Sequence, residues 1–170
     1  MSALKGKVIV ITGASKGIGK ALAFALAGLG AKLALLARSE HDLFTIKNEI
    51  KNKAGKCEIF AGDISDEQFV ESSTAAIIAA FGTIDIVINN AGFGIFKTSE
   101  ETTAAEWDSV FATNTKGTFL MTKAVTPSMK KNKGGHIINI ASDVAKRVFA
   151  GGSLYCASKY AQDAYSMAIR

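Results

Sequence analysis

A tyrosine and a lysine, Tyr155 and Lys159, stand four residues apart near the end of the 170-residue chain. On a helix, this spacing places a phenol and an ammonium group side by side on one face. An isolated phenol has a pKa near ~10, so it exchanges a proton at neutral pH only where a neighbouring charge stabilises the phenolate. The pair is therefore a candidate acid–base unit, although helices carry many Tyr/Lys surface pairs by chance.

A second candidate site is the glycine-rich turn at residues 12–19, which follows a continuous apolar run at residues 7–11. Its Gly-x-x-x-Gly-x-Gly spacing lets the backbone turn tightly and lets a phosphate approach closely. The free N–H groups and the dipole of the following helix favour negative charge there. The turn is also compatible with a plain strand-to-helix connection, but its place after the first buried strand of a βαβ unit favours nucleotide binding.

The end of the second predicted strand bears on the choice of cofactor. An acidic residue there binds the ribose 2′-hydroxyl of NAD, whereas a cation accommodates the 2′-phosphate of NADP. The sequence reads Ala37-Arg38-Ser39, and Lys16 in the glycine turn offers a second positive charge. This pattern favours NADP(H); the alternative is that Arg38 is a solvated loop charge.

The elements that would position these residues alternate between apolar, β-rich runs and segments of helical period. This order predicts an α/β fold of the doubly wound Rossmann type, with a parallel sheet and helices on both faces. The predicted strands are residues 7–11, 32–37, 56–61, 85–89 and 135–141, and the predicted helices are residues 17–29, 40–53, 66–81 with Ser65 as N-cap, 104–131, and 153 onward.

The last predicted helix has no stop signal before Arg170, because neither Gly nor Asn occupies a capping position. Five strands are visible, whereas a dinucleotide-binding sheet in its usual form has six. We therefore expect residues 1–170 to be the N-terminal part of a single dinucleotide-binding domain, truncated at the C-terminus before its last strands and its substrate loop.

Composition narrows the class of protein. With 170 residues, 48% of them hydrophobic, the chain is predicted to form one globular domain. Its modest net charge of +5 does not indicate that it binds nucleic acid. Cys57 and Cys156 lie far apart, and no Cys/His spacing indicates a metal site. The N-terminus lacks a signal pattern, and the apolar stretch at residues 21–31 is too short to cross a bilayer. We expect a cytoplasmic protein that binds neither nucleic acid nor membrane.

Taken together, the motifs resemble the short-chain dehydrogenase/reductase family along essentially the whole chain, in the family's order and spacing. The opening residues and the glycine turn look like those of 3-oxoacyl-acyl-carrier-protein reductases in particular. The motifs are the turn at residues 12–19, Asp63, Asn89-Asn90-Ala91-Gly92, Asn114, Ser142 and Tyr155-Cys-Ala-Ser-Lys159.

The resemblance implies a set of cofactor-binding residues. In the family, the glycine turn holds the cofactor phosphates, the acid matching Asp63 binds the adenine amino group, and Ile64 lies beside the base. From the residues alone, Asn89-Asn90 is equally a plain turn, and Asp63 is favourable near a helix start in any case. The implied cofactor-binding residues are Gly13, Ser15, Lys16, Gly17, Ile18, Gly19, Arg38, Asp63, Ile64, Asn90, Ala91, Gly92, Tyr155 and Lys159.

The resemblance also implies a catalytic set for carbonyl reduction. Hydride transfer to a carbonyl carbon leaves negative charge on the oxygen, which needs hydrogen-bond donors and a proton. Ser142 would polarise the oxygen and Tyr155 would deliver the proton. Lys159 would stabilise the phenolate and bind the nicotinamide ribose, while Asn114 would hold a water that passes protons to the lysine. Taken singly, Ser142 and Asn114 are ordinary strand-end and helix residues.

The substrate stays open at this stage. Lys146, Arg147 and Phe149 are compatible with an anionic carrier or thioester substrate, and equally with a solvated loop. Phe93 and Phe96 either line an apolar pocket or pack beneath their own loop.

Two hypotheses result from these observations. The first is an NADPH-dependent carbonyl reductase, with 3-oxoacyl thioesters as the leading substrates. The second is an NADP(H)-binding sensor or regulatory scaffold on the same fold, without turnover. The family assembles through its long helix and the helix that bears the tyrosine, so we expect a homodimer or homotetramer built through residues 104–131 and 153–170.

Overall fold

The structure of the protein, a computed structural model, describes residues 3–53 and 55–169. Arg170, the last residue of the predicted terminal helix and of the predicted interface, lies outside the described residues. Within the described part, five strands and six α-helices alternate along the chain. The strands are β1 (Val8–Thr12), β2 (Lys32–Ala37), β3 (Lys56–Ala61), β4 (Ile86–Asn89) and β5 (His136–Asn139), and the helices are α1 (Gly17–Gly28), α2 (Glu40–Asn52), α3 (Glu67–Phe81), α4 (Ala104–Phe111), α5 (Gly117–Lys131) and α6 (Ser153–Ala168).

The strands form one parallel sheet in the order β3-β2-β1-β4-β5. Strand β1 pairs with β2 on one side and with β4 on the other, so the chain builds one half of the sheet and then crosses to build the second half. The prediction of a doubly wound parallel sheet is confirmed. In such sheets, ligands bind in the crevice beyond the carboxyl ends of the strands at this switch point.

Helices cover both faces of the sheet, which explains why β1 is a continuous apolar run. Val8 and Val10 contribute to a core shared with α3 and α5. Ile9 and Ile11 point to the opposite face, into a core shared with α1 and α2. Because successive side chains of a strand alternate between faces, a strand covered on both sides is apolar at every position.

The long helix predicted at residues 104–131 is interrupted, and in this respect the prediction is wrong. A π-helical turn, Ala112–Lys116, separates α4 from α5. Asn and Thr form helices less readily than Ala or Leu, and this turn contains Thr113, Asn114 and Thr115. Its buried Asn114 is held by hydrogen bonds to other segments, which stabilise the widened turn.

The N-cap of α3 also differs from the prediction. Asp66, rather than Ser65, caps this helix, because its carboxylate accepts hydrogen bonds from the backbone N–H groups of Gln68 and Phe69. The hydroxyl of Ser65 donates instead to Asp63, over 2.8 Å. Ser65, which was predicted to cap the helix, is therefore bound by the Asp63 carboxylate instead.

The structure also bears on membrane spanning, metal binding and the state of the two thiols. Over residues 3–53 and 55–169, no helix is both long and apolar enough to cross a bilayer. The same residues contain no group of three or more His, Cys, Asp or Glu side chains that could hold a metal ion. Both cysteines are buried, and burial raises the pKa of the Cys57 thiol to about 12, which keeps it protonated at neutral pH.

Candidate active site

The glycine turn between β1 and α1 requires its glycines for conformation and for space. Gly13 and Gly17 have positive φ angles of 65° and 55°, a region that side chains disfavour. A Cβ atom on Gly13 would lie 2.7 Å from the Cα of Ala91, and one on Gly19 would lie 2.5 Å from the Gly13 carbonyl oxygen. Helix α1 begins without a side-chain cap, so its first N–H groups remain available to an anion.

A hydrogen-bonded clamp joins this turn to the loop after β4. The side-chain amide of Asn90 donates to the carbonyl oxygens of Thr12, at 2.9 Å, and Gly13, at 3.2 Å. The backbone N–H groups of Asn90 and Ala91 both donate to the Thr12 hydroxyl at 3.0 Å. Thr12 was predicted only as the first residue of the glycine turn, and its role in this clamp was not. Its one signal is a polar residue that ends an apolar strand directly before the first glycine.

These loops border a cleft of about 870 Å³ along the carboxyl ends of the strands. Most residues predicted for the cofactor site line it. Gly19 does not; it is buried beneath the turn. Asn114 and Ser142 also lie outside the lining. The predicted residues in the lining are Gly13, Ser15, Lys16, Gly17, Ile18, Arg38, Asp63, Ile64, Asn90, Ala91, Gly92, Tyr155 and Lys159.

One end of the cleft carries charges of both signs. Arg38 is exposed at the end of β2, and the hydroxyl of Ser39 caps α2 by accepting from the Asp42 N–H at 3.3 Å. The Asp42 side chain, which the sequence analysis did not single out, lines the same end. Its hydrogen bond to Ser39 lowers the pKa of this carboxyl, so it is ionised at neutral pH.

Asp63 lies in the adjoining wall of the cleft, after β3. One of its carboxylate oxygens accepts from both the N–H and the hydroxyl of Ser65, at 2.9 and 2.8 Å. These bonds fix the direction of the side chain. Ile64 beside it is almost fully buried and packs against Gly117, where a Cβ atom would approach the isoleucine side chain within 2.5 Å.

Helix α6 presents Tyr155 and Lys159 at the other end of the cleft. The Lys159 ammonium lies 6.0 Å from the centroid of the Tyr155 ring. The lysine side chain is nearly enclosed, with only 4% of the residue exposed, and its Nζ donates to the Ile140 carbonyl oxygen at 2.8 Å and to Gln162 Oε1 at 2.9 Å. Burial lowers the pKa of Lys159 from 10.5 to about 8, so the group is mostly charged at neutral pH.

Asn114 is a buried brace behind the cleft. Its Oδ1 accepts from the Phe93 N–H at 3.0 Å, and its Nδ2 donates to the Phe93 carbonyl oxygen at 2.9 Å and to the Ser158 hydroxyl at 3.0 Å. Both amide hydrogens are therefore engaged. The side chain ties the loop after β4 to helix α6, next to Lys159.

Ser142 caps a short 3₁₀ turn, Asp143–Ala145, after β5. Its hydroxyl donates to the Asp143 carboxylate at 3.0 Å and accepts from the Val144 N–H at 3.4 Å. The wall of the cleft at this point is formed by Ile140 and Ala141. Ser142 directly follows the residues that form the cleft wall, but its hydroxyl is bound to the neighbouring Asp143 carboxylate.

Aromatic rings surround the outer side of Tyr155. The Phe96 ring meets the tyrosine ring edge-on, with centroids 5.5 Å apart, and lies 5.9 Å from the Phe149 ring. Both phenylalanines are substantially exposed. Lys146, on the segment between Ser142 and α6, pairs with Asp163 of α6 at 2.5 Å, so its charge is already balanced.

Comparison with known proteins places the chain among its relatives. The family model described as short chain dehydrogenase matches residues 7–170. The D-threitol dehydrogenase of Mycolicibacterium smegmatis is 38% identical over 157 residues, which cover 92% of this chain and 60% of that protein. The sepiapterin reductase of Chlorobaculum tepidum is 36% identical over 162 residues, covering 91% of this chain and 66% of that one. The chain thus spans less than two thirds of these curated relatives.

Solved structures agree in fold and sequence. A metagenomic short-chain oxidoreductase in complex with NADP superimposes with a TM-score of 0.94 at 38% identity, covering 99% of this chain and 76% of that chain. An NAD⁺-bound xylitol dehydrogenase superimposes with a TM-score of 0.90 at 30% identity, covering 94% of this chain and 62% of that chain.

Proposed function

This chain belongs to the short-chain dehydrogenase family, and we propose that it acts as an NADP(H)-dependent oxidoreductase that reduces a carbonyl group to an alcohol. The observation that carries the proposal is the pairing of Tyr155 with a buried, mostly charged Lys159 at one end of the cleft. A buried ammonium beside a phenol is costly to maintain, and such perturbed groups cluster at functional sites.

The residues of the cleft fit a dinucleotide. Gly13 and Gly19 let the turn pack closely against Ala91 and Asn90, which holds the backbone of the turn in place, and the uncapped start of α1 suits a pyrophosphate. Asp63 retains a carboxylate oxygen that can accept from the adenine amino group. When bound, the nicotinamide supplies the hydride.

The choice of NADP(H) depends on Arg38 and Lys16, which line the cleft where a ribose 2′-phosphate would lie. Two cations match the charge of a phosphate, and the related oxidoreductase with a TM-score of 0.94 is in complex with NADP. The ionised Asp42 at the same end opposes this preference. We propose that Arg38, at the strand end itself, outweighs it.

Proton delivery is assigned to Tyr155. Its hydroxyl would donate to the carbonyl oxygen during reduction and would act as the base in the reverse direction. Lys159 would stabilise the phenolate and bind the nicotinamide ribose. Ser142 would polarise the carbonyl oxygen, which requires its hydroxyl to turn away from Asp143. Asn114 would hold the loop after β4 in place. The water that passes protons from solvent to Lys159 would bind beside it, because both amide hydrogens of Asn114 are already engaged.

The substrate class follows from the outer side of Tyr155. Phe96 and Phe149 offer apolar surface, and Lys146 is paired with Asp163, which leaves Arg147 to meet an anion. We propose a carbonyl compound with an apolar flank, and 3-oxoacyl thioesters are one such class. The relatives above are named for a sugar alcohol and a pterin, so the panel of test substrates must be broader.

The proposal also covers the domain to which the chain belongs and its self-association. We propose that residues 1–170 form the cofactor-binding part of one domain. We propose a homodimer or homotetramer through residues 104–131 and 153–170. Helices α4, α5 and α6 carry exposed large apolar side chains in this region, namely Trp107, Phe119, Tyr160 and Met167.

Spectroscopic assay of NADPH oxidation tests the proposal, with a panel of 3-oxoacyl esters, ketones and aldehydes. Tyr155→Phe should lower turnover by roughly 10²- to 10⁴-fold and leave NADPH affinity unchanged, because it removes only the proton donor. Tyr160→Phe is the matched control, since Tyr160 is exposed on the same helix. Turnover that survives Tyr155→Phe would overturn the mechanism. Cofactor binding without turnover on any carbonyl would favour a sensor.

A further inference from the structure

Gln162 is a fully buried polar residue that the proposed mechanism leaves without a role. It lies on α6, three residues after Lys159 and on the same helical face. Its side-chain oxygen accepts from the Lys159 ammonium at 2.9 Å, and its side-chain nitrogen donates to the Thr118 hydroxyl at 2.9 Å. The orientation of such a buried amide is fixed when one partner can only donate a hydrogen bond and the other can only accept one.

The hydrogen-bond donors and acceptors determine this orientation. The Thr118 hydroxyl donates its hydrogen to the Asn114 carbonyl oxygen at 3.0 Å, so toward Gln162 it acts only as an acceptor. The amide nitrogen of Gln162 must therefore face Thr118, and the amide oxygen must face Lys159. A flipped amide would place two N–H donors against an ammonium, which is repulsive.

The charged groups around Lys159 make this oxygen important. Tyr155 is the titratable group that faces the ammonium from α6. The other elements around the lysine side chain face it with uncharged groups: Gly92 after β4, the Ile140 carbonyl after β5, and Thr118 through Gln162 from α5. Without a carboxylate among these contacts, two neutral oxygens hold the positive charge.

We propose that Gln162 is a positioning residue for Lys159, that its amide oxygen keeps the ammonium charged and aimed at the cleft, and that Thr118 fixes this orientation. The inference rests on the proposed function, because it assigns to Gln162 the maintenance of the lysine charge that the phenolate of Tyr155 requires. A leucine or valine would fill the same space without this effect.

The consequence for protonation has a defined sign. An acceptor within hydrogen-bond distance favours the charged form of an amine and raises its pKa, in opposition to burial. Loss of the acceptor therefore lowers the pKa of Lys159. A neutral lysine stabilises the phenolate less, so alcohol oxidation, which uses the phenolate as base, should require a higher pH.

The test compares two substitutions of similar size. Gln162→Met removes the acceptor and should lower the pKa of Lys159 by about one unit. Gln162→Glu keeps an oxygen and adds charge, and should raise the pKa above that of the wild type. The measurement is a pH titration of the lysine side-chain methylene signals by heteronuclear NMR on the full chain, with the Lys159 signal identified by its loss in Lys159→Met.

Two further variants separate positioning from a purely structural role. Thr118→Val frees the amide of Gln162 and should lower the pKa of Lys159 by less than Gln162→Met does. Ser166→Ala is the matched control, because Ser166 bonds Asn139 and the backbone of Gln162 but not the lysine. It should leave the titration unchanged. A structural role alone would lower stability in both Gln162 variants without moving the pKa in opposite directions.

The outcomes for this inference and for the proposed function are distinguishable. Opposite shifts in Gln162→Met and Gln162→Glu support positioning whether or not the protein turns over a carbonyl. If the protein oxidises an alcohol and Gln162→Met shifts the pH profile of this reaction to higher pH, both the positioning role and the proposed function are supported. Equal lysine pKa values in the wild type and Gln162→Met would overturn the positioning role, even if the enzyme is active.

Discussion

In the proposed mechanism Lys159 has to stay charged in an almost closed environment, where neutral oxygens rather than a carboxylate accept its hydrogen bonds. A carboxylate would neutralise the ammonium and weaken its effect on the phenol of Tyr155. The carbonyl of Ile140 and the amide of Gln162 accept its hydrogens without adding opposite charge. At the scale of single residues, the site therefore gives up stability for a charge that chemistry needs.

Replacing this lysine should stabilise the fold at neutral pH. Below a pH of about 8, Lys159 is charged in both the folded and unfolded states, and its desolvation penalty is fully present. Between about 8 and 10.5 the folded state loses the proton first, so the penalty fades as pH rises. Lys159→Met should raise the free energy of unfolding by on the order of 1–2 kcal/mol at neutral pH.

Urea denaturation of the wild type and Lys159→Met at several pH values measures this effect. The advantage of Lys159→Met should decrease steadily as the pH rises from about 8 to about 10.5. Lys130→Met is the control, since this lysine is exposed near the end of α5. A difference that stays constant with pH would mean that burial does not depress the lysine pKa.

Cofactor choice is a second property of single residues. Arg38→Asp should weaken NADPH binding by roughly 10- to 100-fold, because a carboxylate replaces the cation proposed to pair with the 2′-phosphate. NADH affinity should hold or improve. Fluorescence titration with both cofactors measures the ratio. Lys51→Asp, at an exposed position near the end of α2, makes the same charge change away from the cleft. An equal loss of NADPH affinity in that variant would mean that only the net charge matters.

At the scale of elements, the sequence was most informative where the fold repeats a simple pattern. Apolar runs predicted the five strands. The reason is clearest for the inner strands β1, β2 and β4, because a strand buried on both faces is apolar at nearly every position. The edge strands β3 and β5 are partly exposed. The π turn at Ala112–Lys116 could not be predicted in this way. It depends on hydrogen bonds from Asn114 to Phe93 and Ser158, which are 21 and 44 residues away along the chain.

The glycine turn gives a prediction with a matched control on the same helix. Gly19→Ala should destabilise the fold by about 1–3 kcal/mol and weaken cofactor binding, since its Cβ atom would meet the Gly13 carbonyl at 2.5 Å and the Asn90 amide at 2.6 Å. Gly28→Ala, at the end of α1, has open space around it and should be neutral or stabilising by up to about 1 kcal/mol.

Thermal unfolding with and without NADPH measures both variants. The wild type and Gly28→Ala should show the same increase in melting temperature on adding NADPH, whereas Gly19→Ala should show a smaller one. If Gly19→Ala is as stable as Gly28→Ala and binds NADPH equally well, the close packing of the turn has no energetic role.

At the scale of the whole molecule, the cleft lies where the order of strand addition reverses, between β1 and β4 of the parallel sheet. The cleft extends from Arg38, after β2, to Lys159 on α6, and the clamp between Thr12 and Asn90 joins its two halves. The motifs and their order predicted a set of site residues, most of which line the cleft, while Gly19, Asn114 and Ser142 do not. They gave no sign of Gln162 or Asp42, whose roles depend on contacts that arise only when distant elements pack together.

Assembly is the property of the whole molecule most open to measurement. Phe119→Glu should weaken self-association by at least roughly tenfold, because this exposed ring on α5 lies in the proposed interface. Phe44→Glu introduces the same charge at an exposed ring on α2, outside that interface, and should leave the oligomeric state unchanged. Sedimentation velocity distinguishes them. Equal effects of the two variants would contradict the proposed interface.

Transfer of label from cofactor to product tests the proposed reaction most directly. The protein is mixed with NADPH that carries deuterium at its hydride position and with the most reactive carbonyl compound of the panel, and the alcohol is analysed by mass spectrometry. We predict one deuterium on the alcohol carbon for each NADPH consumed, and a loss of this transfer in Tyr155→Phe while NADPH remains bound. Alcohol that lacks the deuterium, or equal transfer by Tyr155→Phe, would contradict the assignment of hydride and proton delivery to this cleft.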